Sequence, residues 1–167
     1  HEGERVYEKA HHPNNVFWHQ ALAANKLYGM FDGKQRDKAL MFKGMPSEEM
    51  VGFRGPRGKF HGIGVADFSA DQKTHLQSVL KLLLDPFRKS DQDEVNRCLK
   101  VQGGLDQCHL AFYKEGDLGD DGIFDNWRLE GPSFVWYFRG TPHVHVWINV
   151  ADTADIKLNS YQNSVGV

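Results

Sequence analysis

The C-terminal part of the chain reads "CHLAFYKEGDLGDDGIFDNWRLEGPSFVWYFRGTPHVHVWINV" at residues 108–150. Aromatic and β-branched residues fill four short runs of this stretch, and Gly, Pro and Asp residues separate the runs. Runs of this length and composition between turn residues are typical of β-strands joined by tight connections. Residues 103–150 are therefore predicted to form an antiparallel β-meander.

The residues before the meander have a helical pattern, because apolar side chains recur every three or four positions. Helices are predicted over residues 14–31, 34–42, 69–85 and 90–102. Ser69 and Gln72 have the spacing of a capping box at the start of the third helix. The Gly- and Pro-rich residues 43–67 are predicted to form an irregular loop with at most one short strand.

Helices that precede strands in this way indicate an α+β fold, with N-terminal helices packed on a C-terminal antiparallel β-meander. A chain of 167 residues is long enough for one hydrophobic core, so residues 1–167 are predicted to form a single domain. Its parts are an N-terminal arm (1–13), a mainly helical part (14–102), the β-meander (103–150) and a polar tail (151–167).

Composition limits the class of partner. The net charge of −2 and the thin spread of Lys and Arg argue against a nucleic acid. No apolar run approaches the roughly 20 residues that cross a bilayer, so membrane insertion is not expected. The chain begins at His1 without a Met, and we interpret it as an exported protein after removal of a signal peptide, or as a fragment.

Two cysteines, Cys98 and Cys108, lie ten positions apart, the first late in a predicted helix and the second at the start of a predicted strand. A turn at the glycine pair 103–104 would bring the chain back on itself. This arrangement favours a disulfide in an oxidising compartment, and with it an extracellular or periplasmic location. The alternative is a pair of buried free thiols.

Histidines suggest a metal site. His143 and His145 alternate along a predicted strand, so their side chains share one side, with Cβ atoms roughly 6–7 Å apart. Two imidazoles at this separation can bind one ion. His109 begins another predicted strand and is the expected third ligand. Alternatively, these histidines only hydrogen-bond Asp125, Glu130 or a backbone carbonyl.

Copper is the favoured metal, with iron or zinc next. If His1 is a true N-terminus, its amine and imidazole would chelate Cu(II) together with a strand histidine. Arg139 and Trp147 are predicted substrate-binding residues, because a guanidinium can hold a carboxylate and an indole offers a stacking face.

Calcium is a weaker possibility in the loop before the second strand of the meander. That loop contains the aspartates Asp117, Asp120, Asp121 and Asp125. Dense carboxylates can bind calcium, but Gly119 and Arg128 occupy positions where an EF-hand needs ligands. A solvated Asp-Gly turn that caps its own backbone is the favoured interpretation.

Two segments resemble a known family. Residues 103–150, with their Trp-Arg, Gly-Pro, Phe-Arg-Gly and Pro-His-Val-His pairs and strings, resemble the C-terminal signature of the uncharacterised DUF3500 family. The segment "HHPNNVFWHQALAANKLYGMFDGKQRDKAL" (residues 11–40) is similar to the part that precedes it there. The resemblance covers most of the chain and implies the C-terminal half of an exported, bacterial-type protein. It implies no reaction, draws attention to His109, His143 and His145, and does not include the cysteine pair.

The sequence thus leads to two hypotheses. The first is a secreted domain that binds one transition metal and acts as a copper- or iron-dependent redox protein. The second is a non-catalytic extracellular module for assembly or binding, in which the tail and a sheet edge pair with another strand. Whether the chain is an enzyme stays open, because it has no nucleophile elbow, phosphate-binding loop or dinucleotide fingerprint.

Overall fold

The computed structural model describes residues 17–47, 51–119, 121–141 and 144–156. The helices are α1 (Trp18–Gly29), α2 (Gly33–Ala39), α3 (Ala70–Leu84) and α4 (Lys89–Val101). The strands are β1 (Leu40–Met41), β2 (Ile63–Gly64), β3 (His109–Tyr113), β4 (Asn126–Gly131), β5 (Phe134–Arg139) and β6 (His145–Val150). This order confirms the predicted α+β fold. Within these ranges, no helix is both long and apolar enough to span a bilayer.

The long strands form the predicted meander. β3, β4, β5 and β6 are antiparallel neighbours in chain order. On the other side of β3, β1 pairs with one end in parallel and β2 pairs with the other end in antiparallel. The described sheet therefore ends in two short strands on one side and in the six-residue strand β6 on the other.

Local signals set the helix boundaries. The Gln72 backbone N–H donates to Ser69 Oγ at 3.3 Å, and the Ser69 N–H donates to Gln72 Oε1 at 2.9 Å, which is the predicted capping box. The second helix is shorter than predicted and stops at Ala39. Leu40 and Met41 leave the helix because they pair with β3.

One face of the sheet packs on the helices and is named here the core face. Trp127 and Trp136 of the sheet and Leu76 of α3 belong to one buried apolar cluster. On β6, Val146 and Ile148 are half-buried against the same cluster, as predicted from their alternation along the strand.

Candidate binding site

The opposite face of the sheet, named here the polar face, carries most of the residues singled out in the sequence. Side chains alternate along each strand, so residues paired across the strands share a face. The polar face includes His109 and Tyr113 of β3, Asn126, Arg128 and Glu130 of β4, Tyr137 and Arg139 of β5, and His145, Trp147 and Asn149 of β6.

Three of the predicted site residues meet at one corner of the polar face. Arg139 pairs directly with His145 across the two strands, and Trp147 contacts the His145 ring edge-on, with ring centroids 5.1 Å apart. Trp147 also stacks on Tyr137 at 5.4 Å. The Arg139 Nε–H donates to the Thr141 carbonyl at 3.1 Å, which orients the guanidinium. Of the other predicted metal ligands, His143 and His1 lie outside the described residues.

His109 does not belong to this corner. The register places His109 in line with Asn149, at the other end of β6 from His145. Three strand spacings and four residues along a strand separate the two histidines by roughly 20 Å. Because both nitrogens would have to lie about 2 Å from one zinc or copper ion, the prediction that His109 completes a site with His145 is wrong.

His109 instead lies under the segment that follows Val51. Its ring stacks on Phe60 with a centroid distance of 5.2 Å, and its Nδ1 is buried without a partner among the described residues. Burial lowers the pKa of His109, and the smaller effects of Asp67 and Glu130 oppose that shift. The neutral imidazole is therefore the form that the fold favours.

A buried ion cluster lies next to His109 on the polar face. Arg128 Nη2 donates to Glu130 Oε1 at 3.0 Å, and Arg54 Nε donates to the same oxygen at 2.8 Å. The side chains of Arg128 and Glu130 are 1% and 5% exposed. Arg128 also lies over the Tyr137 ring at 5.4 Å.

Pro46 and residues 51–61 cover this part of the polar face, so the cluster is a structural contact between loop residues and the sheet. The Tyr137 hydroxyl donates to the Pro46 carbonyl at 2.7 Å, the Gly55 N–H donates to the Pro132 carbonyl at 3.0 Å, and the His61 ring lies 3.3 Å from the Tyr113 hydroxyl.

The structure does not contain the predicted disulfide. Cys98 and Cys108 are both free, and both are buried. The Gln102 Nε2 donates to Cys108 Sγ at 3.3 Å, and Gly131 lies against the same sulfur. Burial raises the pKa of the Cys108 thiol to about 12 and also raises the pKa of Cys98. Cys108 is thus a protonated core residue at neutral pH.

The described part of the acidic loop uses its carboxylates on its own backbone. Asp125 accepts from the Leu118 N–H at 2.6 Å, and Asp121 accepts from the Ile123 N–H at 2.8 Å. Asp117 forms a salt bridge with Lys114 at 2.7 Å. These bonds correspond to the self-capped Asp-Gly turn of the sequence analysis, and Asp120 lies outside the described residues.

The outer edge of β6 presents backbone groups that β5 does not use. The Ala151 N–H donates to the Ser133 carbonyl at 3.0 Å, where β6 leaves the sheet. Because the N–H and C=O groups of successive residues point to alternate sides of a strand, this bond directs those of Val146, Ile148 and Val150 away from β5. In the part of the chain that the structure describes, no strand pairs with this edge.

A cleft adjoins this edge on the core face, between β6 and helices α1, α3 and α4. It consists of two cavities of about 370 and 280 Å³ that share Phe87 and Ile148, and we name it the β6 cleft. The larger cavity is also lined by Leu84, Asp91, Glu94, Val95, Asn149 and Val150. The smaller cavity is also lined by Phe17, Gln20, Leu83, Pro86, Val144 and Val146.

Two residues of the β6 cleft were not identified from the sequence. Phe87 is 45% exposed, which is unusual for a large aromatic side chain beside a core. Gln20 is 3% exposed, and its Nε2 donates to the Leu82 carbonyl at 3.4 Å while its Oε1 has no partner among the described residues. A polar residue on the apolar side of α1 was the available signal for Gln20, whereas nothing in the local sequence indicates that Phe87 faces β6.

Within the described ranges, no three His, Cys, Asp or Glu side chains are grouped in a way that could hold a metal ion. No family model, curated protein or solved structure matches this chain. The resemblance to DUF3500 therefore stays a prediction based on the residues that suggested it.

Proposed function

We propose that this chain is an extracellular binding module that captures an extended polypeptide strand at the outer edge of β6. The added strand would bond to the backbone of β6, and its side chains on the core face would enter the β6 cleft. This mode of recognition combines main-chain hydrogen bonds for affinity with side-chain pockets for specificity.

The observation that supports this proposal is the position of Ile148. Its backbone N–H and C=O point to the open edge, by the alternation that the Ala151–Ser133 bond fixes. Its side chain lines both cavities of the β6 cleft. An added strand that bonds to Ile148 would therefore place alternate side chains beside the β6 cleft, whose smaller cavity is lined mainly by apolar side chains.

Random peptides displayed on phage are the probe for this proposal, selected against the wild-type chain. We expect selected peptides to protect the Val146 and Ile148 amides from hydrogen exchange. The substitution Ile148→Pro should weaken binding at least about tenfold, because it removes one outward N–H and the central apolar side chain. Phe42→Ala is the control, since Phe42 is 71% exposed and directly follows β1, which lies at the opposite side of the sheet from β6. Peptides that bind Ile148→Pro as tightly as wild type would contradict the proposal.

We also propose, as a second candidate, a copper site that includes His145. Its basis is the alternation of His143 and His145 in the sequence, and His145 lies half-buried on the polar face. Titration with cupric ion, followed by electron paramagnetic resonance, should show one nitrogen-ligated copper that His145→Ala removes. His19→Ala, at an exposed position of α1, should keep it. Equal copper binding by His145→Ala would rule out this site, and elemental analysis would detect iron or zinc.

A further inference from the structure

The outer edge of β6, with which no described strand pairs, lacks the features that usually prevent strands from pairing. Edge strands in natural proteins tend to carry Lys, Pro or a bulge that discourages pairing with another chain. β6 reads HVWINV, without any Lys, Arg, Asp, Glu or Pro, and its pairing with β5 is regular over all six residues. An edge with this composition suits a partner strand that is itself apolar and uncharged.

We infer that the partner strand is β6 of a second copy of this chain, paired in antiparallel about a twofold axis at Trp147. This inference rests on the proposed function, because it names the strand that the edge of β6 captures. The pairing is isologous, so each contact occurs twice and the assembly closes as a dimer.

The hydrogen-bonding pattern of β6 permits this pairing. The outward backbone groups belong to Val146, Ile148 and Val150, and the same alternation assigns those of Val144. An axis at Trp147 places Val146 opposite Ile148 of the second copy, and Val144 opposite Val150. All of these residues direct their backbone N–H and C=O groups towards the partner strand, so the two edges can form hydrogen bonds with each other.

The side chains match on both faces in this register. On the core face, Val144 lies opposite Val150 and Val146 lies opposite Ile148, and such β-branched residues pack well across strands. On the polar face, Trp147 meets its own copy in a non-hydrogen-bonded pair, where Cα atoms are closest and aromatic pairs are favourable. His145 lies opposite Asn149, so no like charges oppose each other at neutral pH.

With the axis at Trp147, every residue from 144 to 150 has a cross-strand partner within the same range of the second copy. If the axis is moved by one residue to Ile148, Val144 lies opposite Asp152. That register loses an apolar pair and places a carboxylate beside an apolar side chain. The register at Trp147 is therefore the one that pairs the most apolar surface.

Cysteine cross-linking tests the register. In this dimer, Val146 of one copy and Ile148 of the other form a hydrogen-bonded pair. Their Cα atoms lie about 5.5 Å apart, which is within reach of a disulfide. A mixture of Val146→Cys and Ile148→Cys chains should therefore form a cross-linked dimer on mild oxidation. Ile148→Cys alone should not, because its two copies lie about 8 Å apart. The wild-type chain is the control, since Cys98 and Cys108 are buried. Cross-linking of Ile148→Cys alone, or none in the mixture, would overturn the inference.

Sedimentation equilibrium of the full chain tests the dimer itself. Wild type should dimerise, Ile148→Lys should weaken the dimer at least about tenfold by placing a charge on the paired edge, and Phe42→Lys should leave it unchanged. A wild-type chain that stays monomeric, or a dimer that Ile148→Lys does not weaken, would overturn the inference. If peptides selected on the wild-type chain still bind the edge of β6 in that case, the proposed function stands with a different partner. If neither peptides nor a second copy bind there, both proposals are wrong.

Discussion

Arg54 and Glu130 join the loop after Val51 to the centre of the sheet. Arg54 Nε lies 2.8 Å from Glu130 Oε1, and the same oxygen accepts from the buried guanidinium of Arg128. One carboxylate thus compensates two cations, one of them inaccessible to water. The geometry explains why a charged pair survives on a strand that is buried along its whole length.

Replacing Glu130 with Gln should destabilise the protein by about 3–5 kcal/mol, because it removes a charged partner of the buried Arg128 guanidinium. Urea unfolding followed by circular dichroism measures the loss. Asp85→Asn is the control, because its salt bridge with Lys81 is exposed on α3, and it should cost no more than about 0.5 kcal/mol. Equal losses in the two variants would mean that the buried cluster does not contribute as described.

His109 should make the protein sensitive to mild acid. Burial lowers its pKa below the ordinary value of 6.5, so the unfolded chain takes up a proton at a higher pH than the folded chain. The contribution of this group is therefore fully present above about pH 6.5 and is lost as the pH falls through the lowered value. The free energy of unfolding should fall less between about pH 7 and pH 5 in His109→Gln than in wild type. His19→Gln, at an exposed residue, should follow the wild-type curve, and a His109→Gln curve that also does so would contradict the assignment.

The meander and the helices could be predicted from sequence because their signals are local. The aromatic run of β5, the alternation of Val146 and Ile148, and the capping box at Ser69 each involve residues close in the chain. The early end of α2 could not be predicted, because Leu40 and Met41 leave the helix to pair with β3, which lies far along the sequence.

The candidate site depends on distant contacts, and there the sequence was less informative. Placing His109 beside His145 would require their strands to be neighbours. In the structure, three strand spacings separate the two strands. The β6 cleft depends on Gln20 of α1 and Phe87 of the turn between α3 and α4, which both line the cavity beside β6. What did follow from sequence was the orientation of β6, whose aliphatic side was correctly assigned to the core.

Cys108 should be unreactive in the folded protein. Its thiol is fully buried, and its pKa of about 12 leaves almost no thiolate near neutral pH. Iodoacetamide at mildly alkaline pH should therefore modify Cys108 only after unfolding in urea, and mass spectrometry of the native protein should show two free thiols. Ser133, which shares the Gln102 side chain with Cys108, offers a control: Ser133→Ala should leave the thiol protected. A native mass lower by two hydrogens would instead support the disulfide predicted from the sequence.

The direction of the backbone groups in β6 can be tested with two adjacent prolines. Val150→Pro removes an N–H that points to the open edge, whereas Ala151→Pro removes the N–H that donates to Ser133 at 3.0 Å. Proline is tolerated on an edge strand where its missing N–H would face solvent. Ala151→Pro should therefore cost about 1–3 kcal/mol more than Val150→Pro, because it leaves the Ser133 carbonyl without its bond. Urea unfolding of both variants provides the comparison. If Val150→Pro is the more damaging change, the outward groups of β6 are on the other set of residues, and the edge that would receive an added strand must be reassigned.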